Sequence, residues 1–316
     1  MASSPVDMAV VLSTYNGEKY LEAQLDSLLA QTDSNFRLVL RDDGSTDQTL
    51  RLLQHKRSQF PYVQWVDAKE NLGAKLSFAC LVEAALEDPN VNYVMFCDQD
   101  DVWHPDKVSR SKREIQLLEK ELGMHTPLLV HGDLQVVDAD LRQLSSSFVH
   151  YQHLDPTQTS LSRMLTQNVV TGCTMIINRR LAELACPIPP QAIMHDWWIA
   201  VVASAFGRIV FIHEASIDYR QHGSNTLGAS AYTLPNQMYS TYKKKSISFL
   251  FEQAEAFRSQ YGDRLPARQR DVVEQFIRLK TAPRFRKIKM VYRERFLKHG
   301  FLHNIGFLLK LMSIKD

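Results

Sequence analysis

The chain has 316 residues, 45% of them hydrophobic, and carries 37 Lys/Arg against 35 Asp/Glu for a formal charge of +2. That is enough apolar material for one large α/β domain with an appendage, or for two domains, and the even charge balance gives no reason to expect a nucleic-acid partner. Four cysteines (Cys80, Cys97, Cys173, Cys186) without a C-x-x-C pair or metal-ligand spacing fit a reducing compartment. No signal peptide and no run of about 18 uncharged apolar residues for a membrane span is evident.

Strands and helices alternate along the first half. Residues 8–13 (MAVVLS) are an apolar run too short for a helix and predict a buried strand, and residues 17–30 carry Leu21, Leu25, Leu28 and Leu29 at helical spacing. A second strand is predicted over 36–40, ending at Arg41-Asp42-Asp43-Gly44. There follow a helix from Thr46-Asp47 to about residue 56, a strand over 63–66, a helix over 74–86 and a strand over 93–97. Pro105-Asp106 opens a helix to about residue 122. Further strands are expected over 128–137, 174–177 and 208–219, with a helix over 196–206. Residues 224–236 read as a loop or linker, and beyond Met238 the chain reads as helical, basic and aromatic. Such alternation implies an α/β fold whose parallel sheet binds ligands at the carboxyl ends of its strands. Polar clusters after residues 12, 40 and 97 fall at those ends, which argues for one shared site.

The segment Tyr93-Val94-Met95-Phe96-Cys97-Asp98-Gln99-Asp100-Asp101 is the most informative. An apolar strand ends in three carboxylates, and folding alone does not ask for like charges packed at a strand end. A divalent cation relieves that repulsion, and carboxylates are the ligands of Mg²⁺ and Mn²⁺, which also bind substrate phosphates. The plainer alternative is a helix cap, for which one acidic residue suffices. Ser13-Thr14-Tyr15-Asn16 offers groups for a base or phosphate, or merely caps a helix. Asp42-Asp43-Gly44-Ser45 offers a carboxylate to a ribose or pyrimidine N–H, or is a turn. Asn71-Leu72-Gly73 follows the third strand, and Lys75 reaches a phosphate or is a solvated charge.

In order and spacing, Thr14-Tyr15-Asn16, Asp42-Asp43-Gly44-Ser45, Asn71-Leu72-Gly73 and Asp98-Gln99-Asp100-Asp101 together resemble the nucleotide-sugar-binding half of family 2 glycosyltransferases, inverting enzymes of the GT-A fold. The resemblance spans about residues 7–225, and CDQDDVWHPDK from Cys97 is similar to the bacterial rhamnosyltransferase-like subset that builds cell-surface polysaccharides. It implies a GT-A (Rossmann-like), mostly parallel sheet flanked by helices, with a C-terminal helical appendage. The implied domain covers 1–225, with a nucleotide-sugar half over about 7–125 and an acceptor half over about 126–225, followed by a linker and basic helical region over 226–316. Mn²⁺ or Mg²⁺ is the implied cofactor. Tyr15 is then expected near the base with Thr14 and Asn16 beside it, Asp43 on the pyrimidine ring, and Asn71 and Lys75 in the same nucleotide-sugar set. Asp98 is expected at the ribose or the metal's water shell, Asp100 on the metal, and Asp101 as support for the loop.

In the same family an acidic residue opening a helix after the acceptor loop is the general base, and Asp196 of His195-Asp196-Trp197-Trp198 matches it. Displacement at an anomeric carbon needs such a base within reach of the acceptor hydroxyl; the alternative is a helix cap. His195 reads as an orienting neighbour and Trp197 as acceptor-side. Thr171-Gly172-Cys173 resembles the acceptor-side loop, where glycine lets backbone approach the sugar, and His131-Gly132-Asp133 lies near the same pocket or forms a solvated loop. Tyr219-Arg220-Gln221-His222 resembles the segment that closes over the diphosphate, with Arg220 on phosphate oxygens and His222 completing the metal shell or serving as no ligand at all.

Residues 284–316 hold nine Lys/Arg against two acidic residues, interleaved with Phe285, Ile288, Phe296, Phe301 and Leu308. A basic amphipathic helix reads as a membrane-surface element; the alternatives are a helical appendage packed on the domain and a contact with a second copy of the chain. The expected reaction is metal-dependent, inverting transfer of a sugar, suggested to be L-rhamnose from dTDP-rhamnose, from a nucleoside-diphosphate donor to a glycan or lipid-linked glycan acceptor. The expected place is the cytoplasm, peripheral on the inner face of the cell membrane. A nucleotidyltransferase is the competing enzyme, although its Gly-rich loop is missing after the first strand; a non-catalytic nucleotide-sugar-binding module would not need Asp196.

Overall fold

The first strand shows how the sheet is specified. In β1 (Met8–Thr14) alternate side chains face opposite sides, so Met8, Val10 and Leu12 enter one apolar cluster and Ala9 and Val11 the other. The computed structural model describes residues 6–223 and 247–314; the expected linker over 224–236 lies outside the described residues. In chain order, β1 is followed by α1 (Leu21–Leu29), β2 (Arg37–Asp42), α2 (Thr49–Lys56), β3 (Val63–Trp65), α3 (Gly73–Leu86), β4 (Tyr93–Cys97), β5 (Val102–Trp103) and α4 (Lys107–Leu122). Then come β6 (Leu128–Val137), β7 (Gln143–Ser145), α5 (Phe148–Tyr151), α6 (Leu161–Met164), β8 (Ile176–Asn178), α7 (Arg179–Ala185), α8 (His195–Phe206) and β9 (Arg208–Arg220). Four helices close the chain: α9 (Ser248–Tyr261), α10 (Ala267–Arg278), α11 (Arg284–Glu294) and α12 (Phe301–Met312).

Among the described residues nine strands form one sheet, in the order β3-β2-β1-β4-β8-β6-β9-β5 with β7 on β6. β3, β2, β1 and β4 are parallel, as is the β6–β9 pair. β8 runs antiparallel to both β4 and β6, β5 to β9, and β7 to β6, so the second half is mixed rather than mostly parallel. Leu12 pairs with Leu40 on one side and Cys97 on the other, which brings three polar clusters out at one edge of the sheet.

Element bounds move where polar groups find partners. β2 extends to Asp42 because Arg41 is buried and bonded to Ser77 Oγ and the Glu70 carbonyl. α1 starts four residues late, after a turn in which Asn16 has φ +47° and Tyr20 N–H donates to Gly17 O. β8 starts late because residues 172–174 form a 3₁₀ turn.

α8 is buried nearly all round, which marks a helix enclosed within the core. α9–α12 enclose it: Phe251, Phe257, Phe276, Phe296 and Phe307 belong to the same apolar cluster as Trp198 of α8. The buried face of the C-terminal helices is thus packed on the sheet domain. Among the described residues, no helix is long and apolar enough to cross a membrane.

Gly207 lies between α8 and β9, where a Cβ would stand 1.8 Å from the Pro127 carbonyl oxygen. Backbone cannot move aside as a side chain can, so Gly207→Ala should cost on the order of 1–3 kcal/mol and lower the melting temperature by roughly 5 °C. Gly306→Ala in α12, where a Cβ meets open space, should not lower it, and thermal denaturation of both variants checks the contrast.

Candidate active site

At the end of β1 the backbone is clasped by a side-chain amide from the acidic loop. Gln99 Oε1 accepts from Tyr15 N–H at 2.8 Å and Gln99 Nε2 donates to Tyr15 O at 3.0 Å. A Cβ on Gly17 would lie 2.4 Å from that Oε1, so glycine makes room for the clasp. The Tyr15 ring is 49% exposed beside it. Thr14 Oγ1 donates to Asp42 Oδ1 at 2.8 Å, and Asn16 Oδ1 accepts from Thr46 N–H at 2.9 Å, tying β1 to the loop after β2.

Asp43 is buried, with its carboxylate already occupied. It pairs with Arg41, accepts from Leu72 N–H at 2.9 Å, and takes Gly73 N–H at 2.7 Å at the start of α3. Asn71 Nδ2 donates to Asp43 O at 2.8 Å. The Asp43 carboxylate thus makes internal contacts that fix the loop against α3, and the expected contact with a pyrimidine ring would be made beside them. Lys75 is likewise no solvated charge: its ammonium donates to Ala192 O at 2.8 Å and to Pro190 O, joining α3 to the segment that precedes α8.

Three carboxylates follow β4 as expected, and their environments differ. Asp98 is partly buried, and desolvation followed by the charges of Asp100 and Asp196 pushes its carboxyl up to about 7. Asp101 is fully buried, and burial together with the Asp100 and Asp98 charges raises its carboxyl well above the usual range. Its Oδ1 accepts Arg220 N–H at 3.2 Å, whereas Oδ2 has no hydrogen-bond partner among the described residues. Asp100 Oδ2 lies 2.8 Å from His222 Nε2, whose ring stacks 4.6 Å from that of Tyr20. Arg220 is buried at the end of β9; Nε donates to Asp100 O at 2.9 Å and Nη1 to Ala139 O at 2.6 Å. These bonds hold the acidic loop and differ from the phosphate clamp expected of Arg220.

Across the pocket, Asp196 opens α8. Desolvation raises its carboxyl to about 6, opposed by N–H groups of Trp197 and Gly172 and by the Asn168 side chain. Its charge contributes to the upward shift of Asp98, so residues nearly a hundred positions apart share one electrostatic field. His195 is buried and stacks on Phe78 at 4.3 Å and on Phe96 at 5.4 Å; burial holds it down at about 3, so it is neutral. Gly172 packs against it, where a Cβ would stand 3.1 Å from Nε2. The partly buried Thr171 accepts the Thr174 hydroxyl through its carbonyl at 2.7 Å.

The residues expected on the acceptor side make interior contacts. Trp197 is a core residue whose indole N–H donates to Met164 O at 2.6 Å. Cys173 points its thiol into the acidic cluster: ligand atoms of Asp98, Asp101 and Cys173 lie within 4.8 Å of one another. His131 and Asp133 are buried in β6 rather than in a solvated loop, with Asp133 Oδ1 accepting Phe148 N–H at 3.0 Å.

Gln99, Arg41 and Lys107 were not legible as site residues. Lys107 is fully buried, 4.6 Å from the Trp103 ring, and desolvation lowers its ammonium to about 8 although the nearby Cys173, Cys97 and Asp101 favour its charge. The only sequence signal was a lysine two residues after Pro105, at the start of α4.

The residues present fit a divalent cation. Crowded carboxylates with raised affinity for protons, and the orphaned Asp101 Oδ2, lack the counter-charge a cation supplies. Hard carboxylate oxygens with one imidazole suit Mg²⁺ or Mn²⁺; the thiol of Cys173, held protonated by burial and by the Asp101 and Asp98 charges, does not.

A carboxyl raised in the folded state binds protons that the unfolded chain has released, so stability falls as pH rises between the two pKa values. For Asp98 that window runs from about 4 to about 7. In EDTA the melting temperature should fall across it. Asp98→Asn should flatten the fall and stabilise the protein at pH 8, and Mn²⁺ should restore wild-type stability there. A wild-type melting curve that rises steadily from pH 5 to 8 in EDTA would contradict the crowding.

Residues 9–182 match the model of glycosyl transferase family 2. Among relatives, the dTDP-rhamnosyl transferase RfbG of Shigella flexneri is 25% identical over 223 residues, covering 69% of this chain and 74% of that protein. The putative teichuronic acid biosynthesis glycosyltransferase TuaG of Bacillus subtilis is 33% identical over 103 residues, covering 33% of this chain and 39% of its own. The structure of S. aureus TarS 1–349 in complex with UDP-GlcNAc has a TM-score of 0.54 at 17% identity, covering 97% of this chain and 90% of that one, which is a likeness of fold. Against the longer TarS chain the match spans 43% of that chain. With the family's model matching over half of its length and the sheet, acidic loop and α8 carboxylate assembled as described, the chain belongs to glycosyl transferase family 2 and is a glycosyltransferase.

Proposed function

We propose that this enzyme performs inverting, metal-dependent transfer of a sugar from a nucleoside diphosphate to a glycan or lipid-linked glycan of the cell surface, at the inner face of the cell membrane. The observation that carries the reading is that one turn joins both carboxylate sites: Gly172 packs against Asp196 at the start of α8, and the thiol of the next residue, Cys173, lies with Asp98 and Asp101 after β4. A donor seated on the strand ends then has its anomeric carbon between a phosphate-binding side and a carboxylate side. The relatives suggest a donor: RfbG is a dTDP-rhamnosyl transferase, so dTDP-rhamnose is proposed here, with UDP-GlcNAc, the ligand of the TarS complex, as the donor to test against it.

The division of labour follows from burial and charge. Tyr15 presents an exposed ring to the base, and the Gln99 clasp fixes its backbone. Asp98 and Asp100, with His222, would hold Mg²⁺ or Mn²⁺, which when bound would supply positive charge for the leaving diphosphate. The acceptor oxygen bonds to the anomeric carbon as the bond from that carbon to the diphosphate breaks, and Asp196 takes the hydroxyl proton. A carboxyl near 6 is ionised at neutral pH yet more basic than an ordinary aspartate, as a general base should be. Neutral His195, wedged between aromatic rings, adds no competing charge beside it.

Two substitutions test this. Asp196→Asn should lower the transfer rate by about 10²–10⁴-fold with donor affinity unchanged; a rate within a few-fold of wild type refutes the base. Asp100→Asn should abolish cation-dependent turnover while leaving the fold intact, and turnover that survives EDTA in the wild type refutes the metal. Release of nucleoside diphosphate, measured with dTDP-rhamnose and UDP-GlcNAc in parallel, separates the two donors and excludes a non-catalytic module if either is consumed.

A further inference from the structure

The helix α11 carries two parallel stripes. Phe285, Ile288 and Tyr292 are spaced three and four apart, and each is followed directly by a cation: Arg286, Lys289 and Arg293. One residue is about 100° around a helix, so an apolar row and a basic row run side by side along one exposed flank. The opposite flank, with Lys287, Met290 and Val291, is the buried one. Phe285 is 75% exposed and Tyr292 58%, far more than packing against the rest of the chain would leave. The basic row is not idle surface. Arg286, Lys289 and Arg293 line an open cleft of about 300 Å³ together with Gln275 of α10. Arg293 pairs with Glu294, but neither Arg286 nor Lys289 has an ion-pair partner among the described residues. On the neighbouring α12, Phe301 and Leu309, at 79% and 67% exposure, add a second apolar row.

We infer that α11 docks on an anionic lipid bilayer, its cleft taking lipid phosphates between Arg286 and Lys289 while the Phe285–Tyr292 row enters the headgroup boundary. Both rows are then satisfied by one surface: phosphates meet the cations and acyl chains meet the rings. A second copy of the chain fits poorly. A twofold contact sets the same patch against itself, and the basic row would oppose its own like charges. The inference rests on the transfer reading only for the acceptor it would serve, a lipid-linked glycan; docking itself is independent of it.

Wild-type protein should co-sediment at low salt with phosphatidylglycerol vesicles and not with phosphatidylcholine vesicles, and high salt should weaken the binding. Arg286→Glu with Lys289→Glu should weaken it by about tenfold or more. Phe285→Ser with Tyr292→Ser should leave a residual binding that salt abolishes completely. All four positions are exposed, so thermal stability should be unchanged, and donor-induced stabilisation by dTDP-rhamnose or UDP-GlcNAc with Mn²⁺ should persist in every variant. Failure of the wild type to bind anionic vesicles overturns the docking, and so does binding indifferent to the Phe285 and Tyr292 changes, which would mark a merely electrostatic surface. A molar mass by light scattering that falls from dimer to monomer in these variants also overturns it, in favour of a contact between copies. Loss of donor stabilisation in the wild type, with vesicle binding intact, counts against the transfer reading alone.

Discussion

Negative charge held in too small a space organises this molecule. Asp98 and Asp101 are both pushed toward protonation by burial and by one another's neighbours, and Asp196 adds its field from the far side. Coulomb repulsion at short range and low dielectric is large, so such a cluster persists only where rigid elements fix it. Here the fixing is done by backbone. Arg220 N–H holds Asp101, Arg220 Nε holds the Asp100 carbonyl, and the Gln99 amide binds the peptide of Tyr15. Two of these ties join the loop after β4 to the end of β9 and the third joins it to the end of β1. Lys107 supplies a buried positive charge from beneath, drawn partly toward neutrality by the same burial. The result is a cluster that the sheet can hold but not neutralise, and that a divalent cation or a proton would complete.

Much of this was legible before any coordinates. Short apolar runs such as 8–13 and 93–97 could only be buried strands, because a helix of that length has no stability of its own, and the order of polar clusters placed the site at the strand ends. The position of Asp196 at a helix start also read correctly from sequence. The internal partners were not legible, because sequence shows which side chains are polar but not which of them bond inward. Asp43 looks free in Asp42-Asp43-Gly44-Ser45, yet it is used up by Arg41 and by the first N–H groups of α3, a meeting of three separate segments. Arg220 and Lys75 were consumed the same way, by carbonyls that no residue pattern announces. Trp197 was misplaced because a helix buried on every side has no amphipathic stripe to say which aromatic faces a pocket.

The C-terminal helices gain meaning from where they are tied. Arg163 of α6 donates to the Leu297 carbonyl at 2.9 Å between α11 and α12, and Gln167 Oε1 accepts His299 N–H at 2.6 Å. The next residue, Asn168, reaches the Asp196 carboxylate, and three positions further Thr171 begins the turn that packs Gly172 on His195. A continuous run of nine residues therefore links the corner of the exposed basic helices to the carboxylate at the head of α8. Coupling through such a run needs no moving part: it sets the distance and angle between the surface those helices present and the acceptor side of the pocket. An acceptor arriving along that surface would meet Asp196 from a direction already built into the fold. On the proposed reading a donor over Tyr15, at the ends of β1 and β4, would approach across separate strands, so that the two halves of the reaction would meet only between Asp98 and Asp196.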